Sequence, residues 1–324
     1  MRMDRRLMGL GLFLLTAGGV MLAVRQGLLS DEIAGRAWAL WPLILVGAGL
    51  SIVLAGRPGA SLGGLVIAVT VGAMLGGVVG TGFGGGFGAC GGSRDGTAFA
   101  GQGGSITPGA QVSIEMSCGD LAVSTGPGTA WLVNGSSSDG TPPQITASAG
   151  GLRVENAART SFPFEGGRNR WQIVLPSEPG FGLDVQTNGG SSQITLAGAA
   201  IDDAEFQTNA GSLTVDLRGV TAIQGLFVHA NLGSTTIRLP DRSTEGSIEV
   251  NAGSVALCLP EGAGLRVEAK VVAGSADLDR HGLTKTDDDT WQTPGYATAE
   301  TRLDLSVQVN AGSLSLDPAR ECAG

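Results

Sequence analysis

Histidine occurs twice and cysteine four times in 324 residues, and no two cysteines stand in a CxxC spacing. A zinc site built from paired cysteines therefore has no support. No nucleophile elbow, Walker loop or HExxH motif occurs. Basic residues are scarce where the chain is most regular: residues 105–324 hold thirteen of them against twenty-five acids. Phosphate recognition needs a basic surface, which argues against nucleic acid as a partner. His229 falls on an outward strand position beside Gln207 and Glu249, and His281 follows Asp279-Arg280. Asp287-Asp288-Asp289 lacks the alternating ligands of a calcium loop and reads as a solvated turn. No enzyme, no cofactor and no metal site is expected.

Glycine is abundant, at 55 residues, and one phrase containing it keeps returning. Asn, a small residue, Gly and Ser recur as Asn188-Gly189-Gly190-Ser191, Asn209-Ala210-Gly211-Ser212, Asn231-Leu232-Gly233-Ser234, Asn251-Ala252-Gly253-Ser254 and Asn310-Ala311-Gly312-Ser313. A sixth copy, Val272-Ala273-Gly274-Ser275, has lost its Asn; the steps from Asn188 to Val272 are 21, 22, 20 and 21 residues. A fixed step of that size marks a stacked repeat.

Apolar residues alternate on both sides of the phrase, as in Leu226, Val228 and Ala230 before it and Val255, Leu257 and Leu259 after it. Alternation is the strand period, so each repeat reads as strand, tight turn, strand and connection. Asn tolerates the left-handed region and Gly enters it freely, which suits both to the turn. One repeat buries about six side chains at roughly 1.5–3 kcal/mol each. Ordering its backbone costs roughly 1–2 kcal/mol per residue, so only stacked repeats are stable. Residues 105–324 are expected to form an all-β domain, a parallel β-solenoid with turns of 20–22 residues.

Register then places Asn188, Asn209, Asn231 and Asn251 in one amide column broken at Val272, with Asn310 on a later turn and Gly211, Gly233, Gly253 and Gly312 at the corners. Leu213, Val255 and Leu257 should face a dry interior. Glu249 with Lys270, and Asp216 with Arg238, should pair across neighbouring strands. The cysteines, Cys90, Cys118, Cys258 and Cys322, allow three pairings, and sequence does not choose among them.

The N-terminal third is different. Leu7–Val24, Trp38–Gly56 and Ser61–Gly80 are uncharged, each about the ~20 residues that cross a bilayer. They are read as a three-helix transmembrane region over residues 1–80, with Trp38 and Trp41 at an interface. Small residues four apart, Gly47-Ser51-Ala55 and Gly72-Gly76-Gly80, would let helices approach closely, within a bundle or a homo-oligomer. Arg2, Arg5, Arg6 and Arg57 place the N-terminus inside and the β domain outside the cell. Residues 81–104, rich in glycine, read as a flexible linker.

Trp41-Pro42-Leu43-Ile44-Leu45-Val46-Gly47-Ala48-Gly49-Leu50 resembles the transmembrane region of LiaI/LiaF-type envelope-stress proteins. From Ser117 onward the chain resembles the toast-rack, adhesin-like β-solenoid domain often attached to that region. The residues that carry this are Cys118-Gly119-Asp120-Leu121, Trp171-Gln172-Ile173-Val174-Leu175-Pro176, the Gly-Ser turns, and Trp291 to Tyr296 leading into Leu303-Asp304-Leu305. The resemblance implies a multi-pass protein of the bacterial cell membrane, non-catalytic, that modulates a sensor histidine kinase or another membrane protein. The alternative is a structural or adhesive surface module whose β domain binds cell-wall polymer or a second copy of itself.

Overall fold

A strand that alternates apolar and polar side chains has one face to hide, and in the computed structural model of the chain stacking hides it. The structure describes residues 5–25, 42–53, 61–80, 96–148, 150–157, 169–279, 282–317 and 322. The chain divides into two units, Met1–Gly91 and Gly92–Gly324.

The first unit contains helices α1 (Arg5–Arg25), α2 (Pro42–Val53) and α3 (Ser61–Gly80). Small residues sit where they cross. A Cβ at Gly47 would meet Ile67 and the Gly63 carbonyl, and one at Gly72 would meet Phe13 and Thr16. Thr16 and Thr70 return their hydroxyl protons to carbonyls one turn back, at 2.7 and 2.8 Å.

Among the described residues, no helix is long and apolar enough to cross a membrane. That corrects the expected transmembrane region over residues 1–80 and the multi-pass membrane location. An uncharged stretch of sequence is not yet a span. Of Trp38–Gly56 only the 12 residues of α2 are described helix, rising about 18 Å against ~30 Å of hydrocarbon. Helix α1 has arginine at its first two positions and its last, and six of the 20 residues of α3 are glycine. Trp38 and Trp41 lie outside the described residues, as do Cys90 and His281.

The second unit is one 17-stranded sheet. Its strands are β1 (Thr97–Ser105), β2 (Ala110–Met116), β3 (Gly119–Gly126), β4 (Ala130–Ser137), β5 (Gln144–Ser148), β6 (Gly151–Glu155), β7 (Asn169–Pro176), β8 (Phe181–Thr187) and β9 (Gly190–Thr195). There follow β10 (Ala200–Thr208), β11 (Gly211–Asp216), β12 (Ala222–Arg238), β13 (Thr244–Cys258), β14 (Gly264–Asp277), β15 (Thr284–Lys285), β16 (Thr290–Gln292) and β17 (Arg302–Leu316). From β12 onward the two halves of a turn run on as one long strand bent at its glycine.

Through the stack the parallel layers follow the order β6/β7, β2/β3, β8/β9, β10/β11, β12, β13, β17, β14. Antiparallel strands flank the outer layers: β5 lies on β6 and β4 on β7, with β1 beyond, while β16 lies on the first half of β14. A uniform coil of 20–22-residue turns in chain order therefore describes only β8 to β13. At each end a layer enters out of sequence. The Gly-rich stretch is not a tether throughout either, because Thr97–Ser105 pairs with β4.

Side-chain volume agrees with this order. In the covered seventh layer β17 supplies Leu305, Val307, Val309, Leu314 and Leu316 to the core. The matching inner positions of β14, the last layer, are Val267, Ala269, Val271, Ala276 and Leu278. The extra carbons of β17 favour it in the covered slot by roughly 4–5 kcal/mol at ~0.8 kcal/mol per methylene. Leu213, Val255 and Leu257 are all at most 2% exposed.

The corners are held by backbone contact. Gly119, Gly190, Gly211, Gly233, Gly253, Gly312 and Gly274 form one column, all with φ between +112° and +152°. A Cβ at any of the last six would overlap the carbonyl oxygen of the preceding glycine in the column. Among the described residues Asp317 is the only non-glycine with positive φ. The turn asparagines therefore do not take the left-handed conformation, and that job is wholly glycine's. We expect Gly233→Ala, in mid-stack, to lower stability by more than ~3 kcal/mol, from strain and backbone overlap together. Urea melts read by circular dichroism check this, against Gly262→Ala, where positive φ occurs without crowding.

Candidate interaction surface

Asparagine precedes the corner, so its side chain emerges where layers are closest. Asn209 donates from Nδ2 to Oδ1 of Asn188 at 2.5 Å, Asn231 to Asn209 at 2.6 Å, and Asn251 to Asn231 at 2.6 Å. Asn310 continues the column, donating to Asn251 at 2.7 Å across 59 residues of sequence. All four bonds point the same way, which lets each amide polarise the next. A glutamine ends each run: Gln186 donates to Asn188 Oδ1 at 3.5 Å and Gln308 to Asn310 Oδ1 at 3.0 Å. The column is thereby occupied with itself, and its chemistry is to hold layers in register.

Outward from the second strand of each turn runs a row of hydroxyls: Ser191, Ser212, Ser234, Ser254, Ser313 and Ser275, in register across neighbouring layers. Gln193, Thr214 and Thr236 make a second row beside it. Strand spacing sets ~4.8 Å between successive groups. Ser212 and Ser191 share a hydrogen bond of 3.1 Å. On the inner side of the same corners, hydroxyls are buried: Ser192 donates to Thr187 at 3.2 Å, and Thr187 to Thr208 at 3.4 Å.

The face of the first strands is acidic. Asp184 lies between Ser113 and Glu205 in register, and Glu115 is nearby. Burial pushes the Asp184 carboxyl above its ordinary 3.8; Glu205 and Glu115 push the same way and Arg153 opposes them. Asp216 shows the opposite balance. Burial would raise it, but hydrogen bonds and charge from Arg218, with help from Arg238, hold it below 3.8. The expected cross-strand pair is present, with Arg238 Nε 4.0 Å from Asp216 Oδ2, and Arg218 Nη2 adds a closer contact at 2.7 Å. The Asp-x-Arg spacing at the end of β11 carried that signal. His229 Nδ1 lies 3.6 Å from Glu249 Oε2.

Glu249 and Lys270 are not neighbours, because Gln308 of β17 stands between them. Among the described residues, no group of three or more His, Cys, Asp or Glu side chains could hold a metal ion. Asp287 accepts the backbone N–H of Asp288 in the β15–β16 turn. Cys258 is bonded to Cys322, and Cys118 is also disulfide-bonded.

Residues 107–238 match the family described as the N-terminal domain of toast_rack, DUF2154. The toast-rack match spans β2 to β12, with Asn188, Asn209 and Asn231. It stops short of Asn251, Asn310, the Cys258–Cys322 bond and the out-of-sequence layer β17. It lies wholly in the β unit, so the LiaI/LiaF resemblance of residues 41–50 has no counterpart in it. No curated protein matches. Among solved structures, a putative cell adhesion protein from Clostridium sporogenes is 15% identical, covering 67% of this chain and 98% of its own, with a TM-score of 0.46. A putative adhesin from Bacteroides fragilis is 9% identical, covering 69% and 98%, with a TM-score of 0.28.

Asn231 both donates and accepts in the column. Asn231→Ala is expected to cost about 1–3 kcal/mol, because two partners lose a bond each. For a unit of this size the melting temperature should fall by ~2–4 °C per kcal/mol, read by calorimetry. The two carboxylates give opposite pH signatures. Asp216 stabilises above the unfolded value of 3.8 and loses that contribution as pH falls through its lower folded value. Asp216→Asn should therefore lower the melting temperature at pH ~7 and matter progressively less in acid. Asp184 is a burden that appears as pH rises from 3.8 through its higher folded value. Asp184→Asn should raise the melting temperature at pH ~7 and give no gain below pH ~3.5.

Proposed function

We propose that the chain is a non-catalytic, adhesive cell-surface module whose stacked β unit binds cell-wall polymer. The observation that carries this reading is the hydroxyl and amide field beside the corners. Ser191, Ser212, Ser234, Ser254, Ser313 and Ser275 present groups that both donate and accept, in a straight row along the stack. A long polyhydroxylated chain laid along the row meets one such group per layer. Many weak, equally spaced bonds suit adhesion to a repetitive polymer. The disulfide Cys258–Cys322 supports an oxidising exterior, where such bonds persist.

Kinase modulation is the weaker reading, since it rests on transmembrane helices, and among the described residues no helix is long and apolar enough to cross a membrane. Co-sedimentation of the full chain with purified cell wall tests the proposal. Retention is expected, and Ser234→Arg with Ser254→Arg, two exposed positions in the row, should weaken it about tenfold or more, the equivalent of one or two lost hydrogen bonds. Absence of retention, or retention untouched by the substitutions, would sink the reading.

A further inference from the structure

We infer that the last two layers form a strand-insertion device: β17 occupies a slot on β13 for which β14 competes, and the Asn310 amide with the Cys258–Cys322 disulfide is the latch. This concerns the β unit itself and does not rest on the wall-binding reading.

β13 is followed in the chain by β14, yet β17 pairs with both and separates them. The connection 259–263 that carries β13 to β14 across two layers has the same length as 239–243, which carries β12 to β13 across one. Direct stacking of β14 on β13 is therefore within reach. It is also in register, because the Gly253 and Gly274 corners both match Gly312. In that arrangement Lys270 would face Glu249, and Arg266 would face Glu245. Both pairs follow from the ladder, since Gln308 now lies between the first two residues and Asp304 between the second. The competing state is thus charge-complementary at two rows. In the observed order Asp304 is placed beside Glu245 instead.

Beyond the larger core side chains of β17, two features select it for the slot. Asn310 donates to Asn251, whereas β14 offers Val272 at that corner, so β14 on β13 would leave the Asn251 amide oxygen without its donor. Cys322, shortly after β17, is bonded to Cys258 on β13 and ties the inserted strand to its neighbour. With both removed, core volume alone still holds β17, and the minor population in which β14 closes onto β13 and β17 is released rises.

Amide hydrogen exchange on the full chain, read by mass spectrometry, tests this. The variant Val272→Asn/Asn310→Val moves the amide from β17 to β14; Val272 is 65% exposed, so the corner accepts the change. Cys258→Ser/Cys322→Ser opens the tether. In the combined variant, β17 should exchange about tenfold faster than in the unaltered chain, the equivalent of one amide hydrogen bond, while β14 stays protected. A stack that merely frays loses its outermost layer, β14, first. β14 exchanging before or together with β17, or β17 left unchanged, would overturn the inference. Should the fourfold variant not fold, Val272→Asn with Cys322→Ser answers the same question. A rise in the ratio of β17 to β14 exchange supports the device, and a constant or falling ratio defeats it.

Discussion

The approach of one backbone to the next at the glycine corners governs the rest of the β unit. From Gly190 on, each corner glycine lies so close to the carbonyl of the glycine in the preceding layer that no side chain fits between them. That contact demands a positive φ, and in this column glycine supplies it in every layer from Gly119 to Gly274. Once corners are stacked on corners, the strands on either side must run parallel and in register. Register in turn aligns asparagine with asparagine, serine with serine and core residue with core residue. The amide column, the hydroxyl row and the dry interior are consequences of one backbone geometry repeated.

The asparagine column and the serine row differ in how far their bonding capacity is already used. The asparagine column is occupied internally, each amide donating to the one before it and a glutamine ending each run. Such a column stiffens the stack and offers a ligand little. The serine row faces outward with donors and acceptors at the strand spacing, and a repetitive polymer suits it better than a compact molecule. Stiffness in the first makes the spacing of the second dependable.

Much of this was readable from residue order. The five asparagines and their glycines announce the corner, and alternation around Val255 and Leu257 assigns the inner face. Register alone pairs Asp216 with Arg238 across the strands, and the two-residue Asp216-Arg218 spacing adds the second, shorter contact. Helix length was misjudged. Absence of charge over Trp38–Gly56 says that a segment tolerates an apolar setting, but not how many of its residues form one continuous helix.

Sequence alone determined the repeat unit, since a 20–22-residue period with glycine at a fixed place permits only one kind of corner. It also determined which side chains face inward, because strand periodicity is local. Tertiary structure alone decided the order of the layers. Corners of nearly identical sequence stack on one another almost equally well, so local rules cannot say whether β14 or β17 follows β13. That choice falls to side-chain volume in a covered layer, to one amide at position 310 and to a disulfide spanning 64 residues. Each of these acts between segments far apart in the chain, and none has a signature within a single repeat.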